Sequence, residues 1–170
     1  MGTANDCGRH LAFICIYSYI TGMPAKAPVE SGLSICTCLR LRKAARRVSL
    51  IYDQHLEPLG LTVTQYGLLA QLSAFDGIGI GELADKLIMD PTTLTRNLRP
   101  LERDGLVVFA ADPRDRRARR LHLTARGRDA FDAARPAWRR AQRQIETSFG
   151  PAATTARNAT LDRMLDRLQA

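Results

Sequence analysis

Residues 81–107, GELADKLIMDPTTLTRNLRPLERDGLV, and residues 112–127, DPRDRRARRLHLTARG, decide how this chain reads. Ile80, Leu83, Ala84 and Leu87 fall on one helical face and predict a short helix over 80–87. Ile88-Met89-Asp90-Pro91 then forms a turn. Asp90 has the side chain of a good N-cap, and Pro91 suits the first helical position, where its missing N–H costs nothing. Leu94, Leu98 and Leu101 predict a second helix that ends near Asp104-Gly105, a glycine stop signal. Pro100 inside it should kink or loosen the last turn. Two helices joined by so short a turn have helix-turn-helix geometry, which lays the second helix in a DNA major groove. Directly after it, residues 106–110 (LVVFA) read as a strand and 120–123 (RLHL) as its return. The pair makes a β-hairpin with a basic tip, a wing.

Working outward, residues 31–57 carry apolar positions at three- and four-residue steps and predict a long helix stopped by Pro58 and Gly60. Thr62 and Gln65 have capping-box spacing and open a helix to about Ala74, broken by Asp76-Gly77. Downstream, Thr124 caps a long helix to about Ser148, with a bend expected at Pro136. Gly150-Pro151 separates it from a final helix over 152–168, where Leu161, Met164, Leu165 and Leu168 form a seam. The expected class is mainly α with a small β-wing. Residues 62–123 form a winged helix-turn-helix, and residues 32–61 and 124–170 a helical dimerisation region. The small winged part cannot cover all the apolar stripes of the first and last two helices. Two-fold pairing would cover them and set two recognition helices about one DNA turn apart.

Charge agrees with a polyanionic partner. The 170 residues carry +8, and the stretch 111–143, with eleven Arg and four Asp, holds +7 of it. On the second helix of the pair, Thr92, Thr93, Thr95, Arg96, Asn97 and Arg99 form the polar face. Arg96 is the residue expected to fork onto a guanine. In the hairpin tip, Arg114, Arg116 and Arg117 are expected to reach phosphate or the minor groove. Asp112 and Asp115 are expected to hold the loop by pairing with arginines across it.

These two stretches resemble the MarR family of winged-helix regulators. The family's D-x-R-D-x-R run is matched by Asp112, Arg114, Asp115 and Arg117, and its L-T-x-x-G by Leu123, Thr124 and Gly127. The resemblance covers roughly residues 36–168. It implies a homodimer built from the first and last helices, a pseudo-palindromic duplex operator and a ligand or redox trigger. The expected function is a cytoplasmic transcription regulator, a repressor released by a small molecule or an oxidant.

The trigger has two readings. Cys36 and Cys38 open the first long helix, with arginines just downstream, the setting in which a thiol becomes reactive. Cys38 stands fourteen residues before Tyr52, similar to the family's organic-peroxide-sensing branch. That branch has a second tyrosine one turn after its cysteine, where this chain has Arg42. The other reading is a small aromatic or anionic ligand held in a crevice lined by Arg40, Arg46, Arg47, Tyr52, His55 and Tyr66.

Other classes fare worse. The four cysteines form no C-x-x-C pair, and with three scattered histidines there is no metal-ligand spacing. No phosphate loop, dinucleotide motif or catalytic constellation is present, so neither an enzyme nor a cofactor is expected. A basic membrane-surface protein is a remote alternative, since the basic helix over 125–148 carries alanine more than large apolar side chains. Residues 11–20, LAFICIYSYI, are too short to span a bilayer. Residues 1–31 are expected to be an arm on the dimer, or a consequence of an early start with Met23 as the natural initiator. A signal peptide is the weaker reading.

Overall fold

The computed structural model describes residues 36–112 and 119–168. The arm expected over 1–31 and the wing-tip residues Arg114, Asp115, Arg116 and Arg117 lie outside the described residues. The chain divides into two compact units, 1–43 and 44–170. Of the first, the structure describes Cys36 and the opening turns of α1 (Thr37–Leu56). There the Leu39 N–H donates to Cys36 Sγ at 3.4 Å, so a sulfur takes one of the helix's unsatisfied first-turn donors. The described helix opens at Thr37, with Cys36 in the capping place; the part of the expected helix over 31–35 lies outside the described residues.

The second unit begins within α1 and continues through α2 (Val63–Ala74), β1 (Ile78–Gly79), α3 (Ile80–Lys86) and α4 (Pro91–Arg103). It then passes through β2 (Val107–Ala111), β3 (Arg119–Leu123), α5 (Ala125–Phe149) and α6 (Pro151–Arg167). The capping box at α2 is complete. The Gln65 N–H donates to Thr62 Oγ1, and the Thr62 N–H donates to Gln65 Oε1 at 2.8 Å. Asp53 Oδ1 takes a third first-turn donor, the Val63 N–H, at 2.7 Å and so ties α1 to α2.

The sheet order is β1-β3-β2, antiparallel throughout. β1 was not foreseen. It contributes two residues, Ile78 opposite Leu121 and Gly79 opposite Arg120, and leads straight into α3. One apolar body fills the space between helices and sheet. Leu68, Leu69 and Leu72 of α2 meet Leu83 of α3, Leu94, Leu98 and Leu101 of α4, Val107 and Leu121 of the sheet, and Phe131 and Ala134 of α5. Each buried leucine contributes about 1.5–3 kcal/mol.

The start of α5 is tied to the end of α4. Thr124 Oγ accepts the Gly127 N–H at 2.9 Å and donates to the Gly105 carbonyl at 2.7 Å, while the Thr124 N–H donates to the Leu106 carbonyl. Gly127 lies so close to β2 that a Cβ there would sit 2.0 Å from the Leu106 carbonyl oxygen. That is the physical content of the Leu123, Thr124, Gly127 motif. Pro100 does not loosen the end of α4 as expected. The Asp104 N–H bonds the Pro100 carbonyl at 3.0 Å, so the last turn closes, and only the proline's own donor is lost. α5 likewise runs on through Pro136.

Candidate nucleic-acid interface

The helix-turn-helix is closed by backbone geometry. At the end of α3, the Ile88 N–H bonds the Asp85 carbonyl at 3.1 Å and the Met89 N–H bonds the Ala84 carbonyl at 2.9 Å. This paired wiring needs a left-handed residue, and Ile88 supplies it at φ 51°. Asp90 then caps α4, its Oδ1 accepting the Thr93 N–H at 2.9 Å. Hydrogen bonds from the Thr93 and Thr92 backbone hold the Asp90 carboxyl below its usual pKa. The anionic cap also suits the positive end of the helix.

α4 buries Leu94, Leu98 and Leu101 and turns its other face outward. Thr92, Thr93, Arg96 and Arg99 are exposed; Thr95 and Asn97 are half-buried. The Thr95 hydroxyl donates to the Pro91 carbonyl at 2.8 Å, and Asn97 Nδ2 lies 3.7 Å from Met89 Sδ, facing the turn. Pro91, Thr92, Thr95, Arg96 and Arg99 line an open concavity of about 390 Å³. Thus four of the six polar residues named from the sequence share one concave face, while Thr93 flanks it and Asn97 braces the turn. A concave strip bearing two guanidinium groups and hydroxyls can take phosphate oxygens or base edges.

The residues of the expected ligand crevice fall into different settings. Tyr66 is buried against Phe131, with ring centroids 5.2 Å apart, and stacks on Trp138 at 5.9 Å. Tyr52 stacks on the same indole at 6.2 Å and donates its hydroxyl to Gln142 Oε1. Burial raises both phenol pKa values, with Glu146 adding to the rise at Tyr52. His55 Nε2 lies 2.8 Å from Gln144 Oε1. Arg46 and Arg47 are exposed on α1, and Arg40 is exposed on the part of α1 in the first unit. The structure therefore gathers the two tyrosines around Trp138, whose part no local sequence pattern announces. Cys36 and Cys38 are free thiols, Cys36 half-buried and Cys38 exposed.

Sequence reasoning also missed the roles of Arg120 and Gly77. Asp112 is buried at the root of the hairpin tip and receives Arg120 Nε at 2.7 Å, while Arg120 Nη1 donates to the Gly77 carbonyl at 2.9 Å. The alternation RLHL placed Arg120 on a strand, but the strand it leans toward, β1, was invisible. Among the described residues no cluster of potential metal ligands occurs, and no helix is long and apolar enough to cross a membrane.

Comparison with known proteins converges on one family. The MarR family model matches residues 61–118. The M. tuberculosis transcriptional regulator MosR, solved in complex with DNA, is 39% identical, with a TM-score of 0.68 over 79% of this chain and 99% of that one. The transcriptional repressor CouR, bound to a 23-mer DNA duplex, is 26% identical, with a TM-score of 0.72 over 82% of this chain and 99% of that one. The transcriptional activatory protein BadR of Rhodopseudomonas palustris is 32% identical over 65% of this chain, which spans 62% of BadR, less than two thirds of its length. With the helix-turn-helix, the wing strands and the Thr124–Gly127 tie in place, the chain belongs to the MarR family.

Proposed function

We propose that this chain is a sequence-specific transcription regulator that binds duplex DNA as a homodimer in the cytoplasm, with no catalytic activity of its own. The observation that carries the reading is the concave face of α4, where Arg96 and Arg99 stand exposed on a helix anchored by Asp90 and by three buried leucines. The DNA complexes of MosR and CouR support it. α4 enters the major groove, and Arg96 reads a base edge. Arg114, Arg116 and Arg117 of the wing tip act on phosphate or in the minor groove. Residues 32–61 and 124–170 form the dimerisation region around the winged part at 62–123, and the operator is a pseudo-palindrome.

Duplexes recovered by genomic footprinting supply the test. Arg96→Ala should cost about 1–3 kcal/mol and relax one base position, whereas Arg117→Ala should weaken all sequences alike and flatten the salt dependence by about one phosphate. Unchanged binding by both variants would remove the assignment. The sign is proposed as repression, the sign printed for CouR, and a reporter fused to the footprinted promoter decides it. Induced transcription, as BadR's name implies for that protein, would reverse it.

The trigger is proposed as a small-molecule effector, with a thiol route as the second reading, favoured by the exposure of Cys38. Peroxide that releases DNA from the wild type and from Cys38→Ser alike would remove the thiol route.

A further inference from the structure

We propose that Arg120 is a positioning residue for DNA binding, a latch that fixes the wing relative to the helix-turn-helix through Asp112 and Gly77. The inference rests on the DNA-binding reading above.

The two strands of the hairpin and a corner far earlier in the sequence meet at one guanidinium. Nε of Arg120 donates to Asp112 Oδ2 at 2.7 Å, and Nη1 donates to the Gly77 carbonyl at 2.9 Å. Asp112 follows the last residue of β2 and roots the hairpin tip. Its carboxylate is buried, so it needs charged and hydrogen-bonded company to stay ionised. Gly77 sits at φ 73° in the corner before β1, two residues ahead of Gly79, the N-cap of α3. That corner is held to β3 by two more contacts. The Gly77 N–H donates to the Leu121 carbonyl at 3.0 Å, and His122 Nδ1 lies 3.3 Å from Asp76 Oδ1. With β1 only two residues long, the ladder between corner and wing is minimal. The Arg120 fork adds two bonds where the sheet provides few. Through it, the root of the wing and the approach to the helix-turn-helix share one rigid donor pair. A planar guanidinium can reach both acceptors at once; a lysine ammonium lacks the fork.

The sign of one substitution separates this role from plain electrostatics. Asp112→Asn removes a negative charge beside a polyanion, so charge alone predicts tighter binding. The latch predicts binding about tenfold weaker, since a wing root without its charge-assisted bond presents the tip less well to the duplex. Arg120→Lys leaves the chain's charge unchanged. A smaller salt slope in that variant would then report wing-tip arginines leaving the phosphates, not the loss of Arg120's own charge. The expected result is weaker binding by both variants, a reduced salt slope for Arg120→Lys and a double variant no worse than the weaker single one. Wild-type or tighter binding by Asp112→Asn, or an unchanged slope in Arg120→Lys, would overturn the proposal.

Amide hydrogen exchange on the DNA-free protein provides an independent arm. Either variant should speed exchange at the Gly77 N–H while the α5 amides stay protected. Unchanged protection at Gly77 would also overturn the latch. If the wild type binds none of the footprinted duplexes, the DNA-binding reading falls, and the exchange arm still decides whether Arg120 holds the corner.

Discussion

Leu94, Leu98 and Leu101 of α4 have the same spacing as Leu161, Leu165 and Leu168 at the end of the chain, yet the two stripes have opposite fates. The first three are 0% exposed; the second three are 41%, 50% and 68% exposed. The α4 stripe meets α2, α3 and β2. No element among the described residues covers the outer part of the α6 stripe. The helix starts differ as well. α4 opens on an aspartate that accepts a backbone donor, whereas α6 opens on Gly150 without a side-chain cap. Identical periodicity thus states that a face is apolar and says nothing of its cover. α4 is complete within one chain. α6 carries a face suited to a second copy, as the proposed dimer requires.

The sharpest way to break the closed side is at Gly127. Gly127→Ala would drive a methyl group against the Leu106 carbonyl oxygen, a backbone atom that cannot swing aside. α5 would have to move off β2, and the Thr124 bonds to Gly105 and Leu106 would go with it. A loss on the order of 3–5 kcal/mol is expected, seen as a collapse of the denaturant midpoint. Stability within about 1 kcal/mol of wild type would show that the contact is loose. The matched pair Leu98→Ala and Leu165→Ala tests the comparison itself. Leu98→Ala should cost about 2–5 kcal/mol at any protein concentration. Leu165→Ala should change protomer stability by less than about 0.5 kcal/mol, but weaken self-association, so that the dimer dissociates at a higher protein concentration than the wild type. Equal effects from the two would mean that the stripes are equally covered.

The legible parts of the fold were those with local causes. Asp90-Pro91, Gly105, the Thr62–Gln65 box and the Thr124 cap each announce an end of an element within four residues. Helix and hairpin limits accordingly lie within a residue or two of the structure wherever the expected limit falls on described residues. What escaped depends on distant partners. β1 is two residues paired with a strand some forty positions later, too short for any period. The packing of Tyr52 and Tyr66 on Trp138 likewise joins three separate helices. An arginine partner for Asp112 was foreseen, but choosing Arg120 among the wing's arginines required the register of β3. Ile88 escaped for the opposite reason: its role is local, but a β-branched residue is the last one expected at a left-handed turn.

Ile88 also bears on how tightly the closed side is built. Gly105, at φ 69°, ends α4 with the same paired wiring that Ile88 uses at the end of α3. The left-handed conformation costs an L-residue about 1–2 kcal/mol, while glycine there gives back about 0.5–1 kcal/mol in unfolded-chain entropy. Ile88 is 73% exposed, so little packing is lost with its side chain. Ile88→Gly should therefore stabilise the protein slightly, by up to about 1 kcal/mol, read as a small rise in the denaturant midpoint. A fall would mean that the exposed side chain has a contact that offsets the strain.

The smallest effect concerns the cap that distinguishes α4 from α6. Backbone donation from Thr93 and Thr92 lowers the Asp90 pKa in the folded protein. A lowered carboxyl contributes its stabilisation fully above the unfolded pKa, about 4, and loses it as pH falls through the lower folded value. In an Asp90→Asn variant the side-chain amide oxygen would still accept the Thr93 N–H but would not titrate. The wild type should be slightly more stable than the variant at about pH 6, where the anion also faces the positive helix end. That advantage should shrink below about pH 4 and vanish once Asp90 is protonated. Paired denaturation curves at about pH 6 and about pH 3 check this. A difference between the two proteins that is the same at both values would mean that the carboxylate's charge adds nothing at the start of α4. The capped helix would then differ from α6 by its hydrogen bond alone.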